Sequence, residues 1–457
     1  MRIRILSGVL GLLWSAWVWA GATSAYHLAN GLTLLVLPDN RSPTVTLQVF
    51  YRVGSSYEPM GITGVSHALE HMMFMGTKRY PGNTFSEKIA AVGGMNNAVT
   101  SRDYTAYYEQ LPVSALSMGL ELEADRMQHL VLRQQDFAKE IQVVREERRL
   151  RVDDNPQALT FERFNAMAFV STPYHHPVIG WEDDIDHMQL VDLQNWYQRW
   201  YRPNNAIVVI VGAVKPEQAL ALVKKYFAAI PAHPVPQQVG PFPTKQFGEK
   251  NLTLRLPARL PWLVTGYNVP SAKTAKVAWE PYALLVAAAV LDGGDSSRLP
   301  NELVRGQQLA TDVGVYYDYS KRLGDMFILA ATPAAGHTLD DLQLALQKQV
   351  ARLRDQPVTQ AELDRIKAQV IAREVFARDS QRNQGFDVGT LAAVNLPWQL
   401  QQQFVAAIKA VTPAQVQAVA RQYFVRDNFT AARLVPTAVG KAATPAINAT
   451  STQGSQH

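Results

Sequence analysis

The sequence predicts an α+β fold built of two homologous halves, each a sheet with helices packed on one face. Three observations predict it. Strand-like runs alternate with longer helical ones along the whole chain, a proline-rich stretch divides the chain near its middle, and the two parts close on matching segments. Gln198-Arg-Trp-Tyr201-Arg-Pro-Asn-Asn205-Ala-Ile-Val leads into a strand near the end of the first part. Arg421-Gln-Tyr-Phe424-Val-Arg-Asp-Asn428-Phe-Thr-Ala does the same near the end of the second. Tyr201 to Phe424 and Asn205 to Asn428 share one offset, which is the mark of an internal repeat.

Taken in order, residues 1–22 read as a secretory signal peptide: Arg2 and Arg4, an apolar core over residues 5–20, then small residues. Cleavage is expected after Ala20, Ala22 or Ala25. A retained membrane anchor is the alternative, but the run is short for a span and holds Gly8, Gly11 and Ser15. The expected address is a bacterial periplasm or the extracellular space, with no stable membrane anchor after cleavage. A first unit follows over residues 26–232. Its strands include 32–37 and 45–50, and a helix follows that Thr63 or Ser66 could cap and Gly76 could end. Residues 230–243 carry repeated prolines and suit neither helix nor strand, so 233–246 is read as a linker. A second unit spans 247–436, and the small, polar tail 437–457 reads as disordered.

The chain has 457 residues, 47% of them hydrophobic and 18% charged, which suits a large globular core. It has no cysteine, which removes cysteine nucleophiles, cysteine-ligated zinc and disulfides together. The formal charge of +5 falls by two if Arg2 and Arg4 leave with the signal. The basic cluster from Arg145 to Arg151 is interleaved with Glu146 and Glu147, unlike a nucleic-acid-binding stripe.

The chemistry is carried by His67-Ala-Leu-Glu70-His71. Residues four apart share a helix face, so His67 and His71 can grip one metal ion, and Glu70 projects beside them. Two nitrogen ligands with a general base alongside are what metal-assisted hydrolysis requires. Leu69, Met72, Met73 and Phe74 make the flanks apolar, so the helix is packed rather than free; Met72, Met73 and Met75 read as core filler. A helix from about Asp136 places Glu140 and Glu147 on one face, nearly two turns apart, with Val144 between them. On the residues alone, that pair reads first as a solvated acidic face matched by Arg145, Arg148, Arg149 and Arg151. His175 and His176 read as hydrogen-bonded histidines of a rigid turn.

These residues resemble the inverted-motif zinc peptidases, the family of pitrilysin, insulinase and mitochondrial processing peptidase. In that family H-x-x-E-H is followed, roughly seventy to eighty residues on, by a glutamate inside an E-x6-E pair. Glu140-x6-Glu147 fits. The resemblance implies that His67, His71 and Glu147 hold one zinc ion per chain, with Glu70 as the base and Glu140 in support. Glu146 is the competing ligand, but it points about 120 degrees away from Glu140. The segment from Gly93-Gly94 through Asn97, Ala98, Thr100 and Asp103 to Tyr107 is similar to the family's strand beside the active site. There the family binds substrate as an added strand, which implies that Asn97 and Ala98 hold a peptide. Residues 196–212 also resemble the family's helix-turn-strand. The implied activity is that of a zinc-dependent endopeptidase acting on peptides or unfolded polypeptides. The alternatives are a non-catalytic or weakly active peptide-binding subunit of a heteromeric peptidase and, more remotely, a purely structural zinc.

The resemblance also implies that this chain is half of a clamshell, since the family closes its chamber from four such units. A partner of similar size is expected. Applied to His67, the repeat offset lands on Val290, in an apolar helix over 282–291, so the second half keeps the scaffold without the ligands. In the full-length relatives that half supplies an arginine and, seven residues later, a tyrosine. Here Thr311 stands in the tyrosine's place and Val304 in the arginine's, with Arg305 one position out of register. Loss of one oxyanion donor typically costs about a hundred- to a thousand-fold in rate. Either a metal-free paralogue supplies the pair in a heterodimer, which is the preferred expectation, or the chain acts alone or as a homodimer with a slower site.

Overall fold

The computed structural model describes residues 23–236 and 245–438. The expected signal peptide, the centre of the proline-rich linker and all but the start of the tail lie outside the described residues. The first half comprises β1 (Ser24–His27), β2 (Thr33–Pro38), β3 (Thr44–Tyr51), α1 (Val65–Met72), α2 (Thr84–Ala91), β4 (Met95–Thr100) and β5 (Thr105–Pro112). It continues with α3 (Leu116–His129), α4 (Gln134–Arg148), α5 (Pro156–Ala168), α6 (Glu182–His187), α7 (Leu190–Trp200), β6 (Ala206–Gly212) and α8 (Pro216–Phe227). The second half comprises β7 (Lys250–Pro257), β8 (Trp262–Val269), α9 (Glu280–Asp292), β9 (Ala310–Tyr316) and β10 (Asp325–Pro333). After these come α10 (Leu339–Asp355), α11 (Gln360–Ala377), α12 (Gln381–Ala393), α13 (Leu400–Ala410), α14 (Pro413–Tyr423) and β11 (Phe429–Thr437).

The repeat is visible in the sheets. The first has the order β1-β2-β6-β3-β5-β4 and the second β7-β11-β8-β10-β9. Without β1, the two orders are the same strand for strand. In each, one parallel pair (β2 with β6, β7 with β11) joins otherwise antiparallel neighbours. Val290 lies buried in α9, so no histidine occupies that helix. The structured part differs slightly at its ends from the sequence reading. β1 starts at Ser24, and β11 runs on to Thr437, because each pairs with a neighbouring strand there.

Alternation along the strands sorts the core. Leu34, Val36, Leu47, Val49, Val208 and Ile210 point to one face, under the first half's own helices. Leu35, Phe50, Ile207, Val209 and Val211 point to the other, and Val388 and Ala393 of α12 cover them. The exchange is reciprocal: Phe164 and Ala168 of α5 pack on Val264, Met326 and Ala432 of the second sheet. Each sheet thus has its own helices on one face, as expected, and one helix from the opposite half on the other. Burial on both faces explains the unbroken apolar run Ala206-Ile-Val-Val-Ile-Val. Gly389 permits the close approach of α12, since a Cβ there would lie 2.3 Å from the Phe50 ring. A polar latch also joins the halves. Asp103 accepts from Ser56 Oγ (2.9 Å), from Arg322 Nε (3.3 Å) and from the Tyr174 hydroxyl, all of them buried.

Candidate metal centre

The helix α1 carries the histidines. Its N-terminus is set differently from the sequence expectation. The cap is Gly64, in the left-handed region at φ 87°, and neither Thr63 nor Ser66 caps the helix. Instead the buried carboxylate of Glu58 accepts the backbone N–H groups of Gly64 (2.7 Å) and Ser66 (2.8 Å), and Asp184 accepts that of Thr63 (3.1 Å). Negative charge at this end also suits the helix dipole. Burial pushes the Glu58 carboxyl up to about 7, against the two N–H donors. A side chain at Gly64 would collide with Ile179 O, 2.5 Å from its Cβ, so the start of α1 lies directly on the 179–180 backbone. The helix ends at Met72 with Met73 as its cap, before Gly76. Met72 and Met73 are buried in the main core.

Alongside α1 lies α4, whose Ile141 and Val144 are buried in the same core. This brings Glu140 and Glu147 to the histidines. Glu147 Oε2 lies 3.6 Å from His67 Nε2 and 3.3 Å from His71 Nε2. Glu140 Oε2 lies 3.3 Å from His71 Nδ1. One ligand atom from each of His67, His71 and Glu147 falls within 4.8 Å of the others, and no other such group exists among the described residues. A tetrahedral zinc site with bonds of about 2.0–2.1 Å separates its ligand atoms by about 3.3–3.4 Å. The triad therefore fits zinc without rearrangement of α1 or α4. Glu146 points away: it is 63% exposed and pairs with Arg149.

The electrostatics suit the same use. Burial, with His71 adding to it, pulls His67 down to about 4, so its imidazole is neutral, the form that binds metal. Burial also lowers His71, but Glu147 and Glu140 outweigh it and the net shift is upward. The bond from His71 holds Glu147 below the usual carboxylate value despite burial. Glu140 on Nδ1 orients His71 with Nε2 towards Glu147, the outer-shell carboxylate that ligating histidines commonly have. His67 Nδ1 is buried without a hydrogen-bond partner among the described residues. Burial raises Glu70 against the hydrogen bond from the Thr100 hydroxyl. Sequence reasoning did not single out Thr100. Its signals were its place in the segment that resembles the family's active-site strand and the strand period that puts it on the face of Ala98.

Thr100 ends β4, the edge strand beside α1. The Ala98 N–H donates to Asn97 Oδ1 (2.8 Å), a bond that any strand added here would have to replace. The triad, Glu70 and β4 open into one cavity of about 690 Å³, bounded opposite by Phe161 of α5 and by His175 and His176. Those histidines do sit in a tight turn: His175 Nδ1 meets Thr172 O (2.7 Å) and His176 Nδ1 meets Ser55 O (3.2 Å). Nothing from the second half's arginine–tyrosine segment lines the cavity. Thr311 lies on β9 against Thr332 O, and Arg305 is bound to Asp295 O.

Comparison with known proteins agrees with this construction. The family model described as Insulinase (Peptidase family M16) matches residues 34–181. That described as Peptidase M16 inactive domain matches residues 187–370. "Zinc protease PqqE" of Helicobacter pylori is 34% identical over 349 residues, covering 74% of this chain and 76% of that one. "Probable mitochondrial-processing peptidase subunit beta, mitochondrial" of Arabidopsis thaliana is 26% identical, covering 88% and 76%. Among solved structures, a protease from Helicobacter pylori superposes with a TM-score of 0.85 at 30% identity, covering 91% of this chain and 100% of that one. The periplasmic protease PqqL from Escherichia coli shares the fold, at a TM-score of 0.74 and 21% identity, over 93% of this chain and 49% of that one. The chain belongs to the insulinase family of zinc proteases, peptidase family M16.

Proposed function

We propose that this chain is a zinc-dependent endopeptidase. The observation that carries the reading is Glu147 reaching across from α4 to both imidazoles of α1, at 3.6 and 3.3 Å. His67, His71 and Glu147 would hold the ion. Zinc bound there would act as a Lewis acid, polarising the scissile carbonyl and acidifying the attacking water. Glu70 takes the proton from that water and passes it to the leaving amine, a role worth about 10² to 10⁴ in rate. Its raised affinity for protons, set by burial, suits both halves of that task. Thr100 holds its carboxylate in place. The free edge of β4, with Asn97 and Ala98, would take an extended peptide as an added strand. Glu140 keeps His71 in the ligating orientation.

The test is Glu70→Gln. It is expected to retain one zinc per chain while peptide hydrolysis falls by at least about a hundred-fold. Unchanged turnover would remove Glu70 from the mechanism, and wild-type protein that binds no zinc would remove the peptidase reading.

A partner is proposed as well. With Thr311 and Arg305 away from the cavity, the second half gives the site no arginine–tyrosine pair. A metal-free paralogue of similar size, supplying that pair in a dimer, would complete the chamber. The relative named as a subunit beta is consistent with such an assembly. A non-catalytic binding subunit is the second reading, favoured by the same missing pair. The basic, then apolar start of the chain supports export to a bacterial periplasm. β1 includes Ser24 and Ala25, so cleavage after Ala20 or Ala22 keeps that strand whole, whereas cleavage after Ala25 would cut it. Among the described residues, no helix is long and apolar enough to cross a membrane.

A further inference from the structure

We propose that Arg102 anchors a carboxylate of the bound peptide and so makes acidic peptides the preferred substrates of this site; the inference rests on the peptidase reading and deepens it. Arg102 sits in the turn between β4 and β5, two residues after the Thr100 that holds Glu70, and lines the same cavity as the metal triad. Its guanidinium lies over the rings of Phe169 (5.2 Å) and Tyr174 (5.3 Å). Among the described residues it has no carboxylate partner, and its side chain makes no hydrogen bond.

That vacancy is unusual, because an aspartate follows directly in the sequence. Asp103 is turned inward and fully engaged, by Ser56 Oγ (2.9 Å), the Tyr174 hydroxyl, and the backbone N–H (3.1 Å) and Nε (3.3 Å) of Arg322. The other guanidinium of the lining and the neighbouring carboxylates are engaged. Arg151 pairs with Glu147 (2.8 Å), and Glu162 takes two bonds from Arg148 (2.9 and 3.2 Å). Glu70 is held by Thr100. Arg102 is therefore the one guanidinium of the cavity lining without a carboxylate partner among the described residues.

The two aromatic rings make it a prepared one. The rings stand at 83° to each other, so the guanidinium is held against both by cation–π contact, which restricts its rotamers and uses none of its N–H donors. A carboxylate arriving along β4 would meet a planar fork able to bind it through two hydrogen bonds. The carboxylate has two possible sources, an acidic side chain or the peptide's C-terminus. A peptide amide at either place has the same shape without the charge, and that contrast isolates the interaction.

The experiment uses the full, zinc-loaded chain and labelled decapeptides that differ only by Glu or Gln at each position in turn. Every peptide is made with a free or an amidated C-terminus. Affinity is read by fluorescence anisotropy on the Glu70→Gln protein, and cleavage on the wild type. At one or more positions the carboxylate peptide is expected to bind about tenfold more tightly than its amide counterpart. The position shows whether a side chain or the terminus is the source. Arg102→Gln should bring that ratio to about one, Arg102→Lys should keep part of it, and zinc content should not change in either. Equal affinities for Glu and Gln, and for acid and amide, at every position would overturn the proposal without any variant being made. So would a preference that survives in Arg102→Gln. Cleavage with no charge preference would sink Arg102 and leave the peptidase reading standing. Carboxylate-selective binding lost in Arg102→Gln, without cleavage by the wild type, would do the reverse.

Discussion

At the scale of single residues, the division of labour between Glu140, Glu146 and Glu147 is what gives the site its chemistry. All three lie on one helix, yet only Glu147 reaches both imidazoles, Glu140 touches only the outer nitrogen of His71, and Glu146 faces solvent. Removing an outer-shell carboxylate from a metal-bound histidine usually weakens the metal by about 10- to 100-fold. Glu140→Gln is expected to do this, and Glu146→Gln is expected to leave zinc affinity unchanged. Titration against a chromogenic chelator checks both, and equal losses in the two would contradict the assignment. His67, Glu70 and His71 were legible in the sequence because helical spacing alone puts them together. Glu147 was legible only through the family resemblance, since on its own residues the α4 face reads first as a solvated acidic stripe. Thr100 and Arg102 were not singled out, because their roles depend on a cavity that no local pattern encodes.

At the scale of elements, strands were read more closely than helix ends. The runs read as strands at 32–37 and 45–50 are β2 and β3 within a residue at either end. The start of α1 was misplaced because its cap is tertiary: Glu58 and Asp184 supply it from outside the helix, whereas cap rules look for a neighbouring side chain. The element with the clearest dependence on pH is α12. Burial, with Glu374 beside it, pushes its Asp387 up to about 7, against a bond from Gln401. The folded state therefore keeps a proton that the unfolded chain has lost between the ordinary aspartate value of 3.8 and about 7. The stabilisation is complete below the lower value and is lost as pH rises through the upper one. Asp387→Asn should raise the melting temperature of the metal-free protein at pH 8 and leave it nearly unchanged at pH 4. A gain of equal size at both would show that Asp387 does not titrate in this way.

At the scale of the whole molecule, the half without the His-His-Glu triad is part of the structure of the half that carries it. It covers the back of the first sheet with α12, receives α5 in return, and closes the Asp103 latch with Arg322. Asp103 lies in the turn that follows Thr100, so the latch fixes the β4–β5 hairpin on which Glu70 depends. Breaking a buried charge pair by removing one partner typically costs about 3–5 kcal/mol. The duplication itself was legible from the matched segments around Tyr201 and Phe424. The crossed helices were not, because a helix that serves the opposite sheet carries the same apolar pattern as one that serves its own. Everything functional still returns to whether α1 and α4 together bind zinc. The most direct measurement is anomalous diffraction at the zinc edge from crystals of the purified protein. The account predicts one strong peak per chain, bounded by His67 Nε2, His71 Nε2 and a Glu147 oxygen. A zinc-supplied crystal with no peak there, or with zinc bound and Glu147 swung out of reach, would contradict it.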